Sequence, residues 1–245
     1  MTHNARLHLP RTITAPLAAL ALAFSLSTQA FAFEHSNKVE QAITNATYQY
    51  NASQLSALAD SSTGYNKAYA FYRLAQIDIL NTDKSAVLAN LDLALTALKP
   101  LNDPEADVLK AAIWGLMMGA DPKSASTLYP QLQQTLAEAK EDINARPRAL
   151  LIEGINAFYT PPAYGGGTEK ARTLLEEALN HYQAPSKDAQ VLWGQVETYI
   201  WLGQVLEQEQ QTDKARSAYK QALALDPNCT WANHNLNALN NNSAP

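Results

Sequence analysis

Tyr199-Ile200-Trp201-Leu202-Gly203-Gln204-Val205-Leu206, followed by Ala215, Tyr219, Ala222 and Pro227, is the stretch that decides the fold. Apolar and small residues recur there three and four positions apart, the period of one helix face. The spacing predicts two short antiparallel helices joined by a turn. Gly203, Ala215 and Ala222 let the two backbones approach, and Tyr199, Leu202, Leu206 and Tyr219 fill the space around them. One such hairpin cannot bury its apolar face alone, so neighbouring hairpins must stack on it.

Working outward, the same period recurs almost throughout, and no convincing run of alternating β-branched residues interrupts it. Phe71, Leu74 and Ala75 repeat the positions of Tyr199, Leu202 and Gly203, and Val87, Leu91 and Ala94 repeat those of Ala215, Tyr219 and Ala222. A third pair begins at Pro104, a favourable first-turn position. Its second helix contains Pro130, which removes a ladder bond and predicts a kink or a break. A fourth pair begins at Pro147-Arg148-Ala149, with Gly154 and Leu175 in the packing positions. Ahead of these, Asn37 to about Ala59 reads as one helix capped by Ser36. The first helix of the fifth pair reads as extended, from near Lys187 through Trp193-Gly194 to about Glu209. Thr230 to about Asn240 reads as a closing helix with a solvating, Asn-rich face.

The unit at residues 196–229 resembles a tetratricopeptide repeat, a helix–turn–helix of about 34 residues. The Pro147-Arg148-Ala149 start, with the Pro-Pro and triple-Gly insertion that follows it, resembles an exported bacterial subgroup of such proteins with no assigned activity. The expectation is an all-α, tetratricopeptide-repeat-like solenoid of about four to five hairpins over residues 65–240, with a C-terminal capping helix. An N-terminal helix and turn occupy 33–64 and a disordered tail 241–245.

The first 32 residues read as a cleavable export leader. Arg6 and Arg11 supply the positive start, Ala15 to Ser27 the apolar core, and Ala30-Phe31-Ala32 the small residues before cleavage after Ala32. Export to the periplasm, or secretion, follows from this reading. Loss of the two leader arginines takes the formal charge from −5 to about −7. An acidic chain without a basic patch is a poor partner for nucleic acid or anionic lipid. With one cysteine, Cys229, no internal disulfide can form. Either it is partly buried at the start of the closing helix, or it bridges to another chain.

Candidate functional residues come from the resemblance. It implies that first-helix side chains line a concave, partner-binding face. Carried over by position, these are Tyr69, Tyr72, Gln76 and Ile79; Arg148, Leu151, Ile155 and Phe158; and Glu197, Ile200, Gln204 and Glu207. Leu151, Ile155 and Ile200 fit groove and core equally. The lysine–asparagine clamp that some such domains use for a terminal carboxylate has no counterpart at these positions.

The insertion Tyr159–Gly167 admits two readings. It is a tolerated turn, or it folds over the concave face and contacts a ligand through Tyr159 or Tyr164. Its glycines lack the lysine and Ser/Thr of a phosphate loop. His35, His181 and His234 lack metal-ligand spacing, and no nucleophile motif is present, so no catalytic residue, metal or cofactor is expected. A protein or peptide partner is the first expectation. The alternative is a small-molecule carrier with a pocket inside the solenoid, lined by Tyr159, Tyr164, Trp114 and Trp193.

Overall fold

The computed structural model describes residues 37–182 and 192–242, all within one compact unit, Ser36–Pro245. The expected leader, Ser36 and Lys187 lie outside the described residues. The described residues form helices and turns without strands. The helices are α1 (37–48), α2 (Ala52–Ser61), α3 (Gly64–Leu80), α4 (Lys84–Leu98), α5 (Pro104–Ala120) and α6 (Ala125–Ala139). They continue with α7 (Arg146–Tyr159), α8 (Thr168–Tyr182), α9 (Gln195–Gln208), α10 (Thr212–Leu225) and α11 (Thr230–Asn242). Consecutive helices pair as hairpins, and α3, α5, α7 and α9 also touch one another in turn. The odd-numbered helices therefore form an inner layer and the even-numbered ones an outer layer, with α11 closing the end against α10.

The hairpins pack as the spacing predicts. A β-carbon on Gly154 would lie 3.0 Å from Leu175 Cγ, and one on Gly203 would lie 2.4 Å from the Tyr219 ring. At Gly203 a β-carbon would collide with the ring, and at Gly154 it would crowd Leu175, so both glycines favour the close approach of the partner helix. Ala75 and Leu91 take the same roles in the α3–α4 hairpin and are fully buried.

The N-terminal stretch differs from the expected single helix. It breaks at Gln49–Asn51, where Tyr50 takes φ +54° and the Asn51 N–H donates to the Ala46 carbonyl at 2.8 Å. The Asn51 side chain then caps α2 by accepting from Gln54 N–H at 3.0 Å. Two further inner helices end in the same way. Thr82 has φ +58°, with Asp83 N–H bonding Asp78 O, and Gln210 has φ +59°, with Gln211 N–H bonding Leu206 O. Each is a left-handed C-terminal cap of the Schellman type. The turn repeats without a glycine, so 37–61 is a hairpin of the same kind as α3–α4 and α9–α10.

The other departures have local causes. Trp193-Gly194 is not helical. Gly194 has φ +117°, and a β-carbon there would meet Tyr182 Oη at 2.0 Å, so α9 begins at Gln195. Pro130 sits inside a continuous α6, which a 3-10 turn at Pro122–Ser124 leads into. At the C-terminus α11 reaches Asn242, overlapping the tail expected to be disordered; 243–245 lie outside the described residues.

Candidate functional site

The N-terminal halves of the inner helices converge on a buried polar cluster. From α3 and α9, Arg73 and Glu197 form an ion pair at 3% and 4% side-chain exposure. From α5 and α7, Glu105 and Arg148 form a second, bidentate pair, one arm of which is 2.8 Å long. Glu40 of α1 accepts from the backbone N–H groups of Leu192, at 2.7 Å, and Trp193, at 3.0 Å. Trp193 stacks on Tyr69 with centroids 5.6 Å apart and donates its indole N–H to Tyr65 Oη at 2.8 Å. The first helix is thereby bound to the entry of the fifth hairpin.

Electrostatics in this cluster follow from burial. Desolvation alone would pull Arg73 down. Tyr69, Glu197 and Tyr72 outweigh it and hold the guanidinium well above its ordinary value. Burial pushes the Tyr72 phenol up to about 12 and the Glu40 carboxyl up to about 7, although two N–H groups favour the Glu40 carboxylate. Buried ion pairs add little net stability, but removing one partner leaves an uncompensated charge.

Above the cluster the C-terminal halves of the same helices enclose a cavity of about 1120 Å³. Arg73, Tyr48 and Tyr72 border its inner end. α3 and α5 give it an aliphatic side with Ile77, Leu80, Leu116 and Met118. α7, α9 and α11 give it an aromatic side, where Tyr159 and Trp201 meet edge to face at 5.8 Å, and Trp201 and Trp231 at 5.4 Å. Amides are interspersed. Gln76 accepts from Arg73 at 2.9 Å and donates to Tyr72 Oη at 3.2 Å, and Asn156 and Gln204 also line the wall. Buried Tyr48, Tyr72 and Arg73 line one part of it and exposed Leu80 and Tyr159 another, which makes it an open cup.

The structure separates the expected site residues. Tyr72, Gln76, Tyr159 and Gln204 line the cavity, as do Ile79 and Ile155. Tyr69 and Arg148 do not; Tyr69 is fully buried beneath Trp193, and Arg148 is held by Glu105. Leu151, Ile200 and Glu197 are buried too. Tyr164 is 78% exposed and does not line the cavity. Of the two expected tryptophans, Trp193 belongs to the cluster and Trp114 lies outside the lining. Trp201, Trp231 and Arg73 went unread, because nothing local marks them. Trp201 adjoins the residues that carry the repeat spacing, and its partner lies on the closing helix.

The Tyr159–Gly167 insertion folds back on its own helix. The Gly167 N–H donates to the Ala157 carbonyl at 2.8 Å, with Gly165 at φ +81° and Gly167 at φ +104°. A β-carbon on Gly166 would lie 2.1 Å from the Thr160 carbonyl oxygen. The glycines serve a tight return of the chain, and only its first residues, Tyr159 and Thr160, reach the cavity. Cys229 is fully buried, and burial raises its thiol to about 11, so it is placed as a core residue and not as an intermolecular bridge. Among the described residues, no three His, Cys, Asp or Glu side chains come together as a metal site would require.

Residues 196–229 match the family model of the tetratricopeptide repeat. No curated protein and no solved structure matches the chain. The matched stretch spans α9, α10 and their turn, and the same hairpin construction recurs through the described residues. The described residues thus form an all-α, tetratricopeptide-repeat-like solenoid.

Proposed function

We propose that this chain is an exported, non-catalytic scaffold that binds a segment of a partner protein in the cavity between its inner helices. The cavity carries the reading. It is the concave face of a repeat type that generally mediates protein–protein contact. Its lining combines aromatic anchors with side-chain amides, the composition of an adaptable recognition surface. The leader sequence supports export to the periplasm.

The test is site-specific photocrosslinking in cells. A reporter at Gln204 faces the cavity, and one at Tyr164 lies outside its lining. The expected result is a discrete crosslinked protein from Gln204 and none from Tyr164. The same protein captured from Tyr164, with nothing from Gln204, would overturn the reading.

A further inference from the structure

Resting on that reading, we infer that the cavity selects an uncharged, bulky apolar side chain, aromatic above all, which a surface loop or helix of the partner inserts through the mouth.

Three observations converge on this occupant. The first is charge. The ionisable group at the floor, Arg73, is already tied to Glu197. Apart from tyrosines, the other ionisable groups bordering the cavity, Asp83, Lys84 and His234, are exposed. A charged side chain carried to the floor would lose its hydration and find no free counter-charge, a cost that excludes it. The second is shape. Cavity-lining residues on α3 run from Tyr72 to Leu80, a rise of about 12 Å at 1.5 Å per residue. The cavity's inner end is lined by Tyr48, Tyr72 and Arg73, each 4% exposed or less, so a chain does not run through there; it must present a knob. The third is the wall. Tyr159, Trp201 and Trp231 meet edge to face and leave ring surface toward the cavity, the geometry in which another aromatic ring packs best. The Gln204 amide, which has no partner among the described residues, is placed to bond a backbone group of the inserted segment.

The test uses blocked peptides, N-acetylated and C-amidated, of alanine and serine around one central residue. Binding to the full exported chain is measured by calorimetry. A central Trp or Leu is expected to bind, and a central Glu or Lys to bind at least 30-fold more weakly. Trp201→Ala should weaken the Trp peptide at least tenfold, whereas Tyr164→Ala should leave it unchanged. Equal binding of the Glu or Lys peptide overturns the inference, as does full binding by the Trp201→Ala variant.

Mapping the segment crosslinked from Gln204 separates this inference from the reading beneath it. A segment with a charged residue at the crosslink sinks the inference and leaves the scaffold reading intact. A small molecule co-purifying in the cavity, with no protein captured from Gln204, overturns both.

Discussion

At the scale of single residues, the balance between burial and pairing governs what each inner-face side chain does. Arg73 and Glu197 sit 124 positions apart in sequence and meet in the interior. Glu197→Gln leaves the Arg73 charge buried without its counter-ion, and we expect a loss of about 3–5 kcal/mol, measured as a fall in the urea midpoint. The double change Arg73→Met with Glu197→Leu should recover most of that loss, because well-packed apolar residues replace buried pairs at little cost. No recovery would mean that the pair's hydrogen bonds to Tyr69 and Gly194, and not its charges, carry the stability. This scale was the least legible in the sequence. A charged or aromatic residue on an inner helix face reads as a ligand contact when its partner is far away in the chain. Arg148 and Tyr69 were read so, and both proved to be packed against distant elements. Tyr72, Gln76 and Gln204 lie further along the same helices and line the cavity.

At the scale of elements, local chemistry was legible where residue type and backbone demand coincide. Gly203 against Tyr219 and Pro104 in the first turn of α5 are of this kind. The turns at Thr82 and Gln210 were expected from the hairpin spacing, but the break at Tyr50 was not, and the left-handed backbone at all three was hidden because none carries a glycine. A β-carbon in that conformation costs about 1–2 kcal/mol. Gln210 is exposed and its side chain makes no contact that would be lost. Gln210→Gly should therefore raise stability by about 1 kcal/mol, seen as a higher thermal midpoint. An unchanged or lower midpoint would show that the α9–α10 turn is not strained by its residue.

At the scale of the whole described unit, repeat spacing made the stacking of hairpins legible, but not the closure of the inner layer on itself. Closure depends on Glu40 reaching the backbone of Leu192 and Trp193, and nothing near residue 40 announces it. This contact also sets a pH dependence. Burial raises the Glu40 carboxyl from its ordinary 4.5 to about 7. A raised value means that folding favours the protonated form. Its contribution is complete below 4.5 and is lost as pH rises through about 7. Arg148 and Glu105 act on the same carboxyl in opposite directions, Arg148 lowering and Glu105 raising its value. Glu40→Gln mimics the protonated form at every pH. The variant should gain up to about 3 kcal/mol over the wild type at pH 8 and almost nothing at pH 4. Urea titrations of both proteins at the two pH values measure the difference, and parallel pH profiles would sink the assignment.

The Glu40 contact has a consequence for how the protein is made. An open array of repeats can nucleate anywhere and grow by neighbours, because each unit touches only the next. Here the bond from Trp193 to Glu40 spans 153 positions. The floor of the cup cannot form until the fifth hairpin has been synthesised, and that long-range step slows the last stage of folding. Without the fifth hairpin the Glu40 contact has no partner, so the cavity is complete only in the finished molecule.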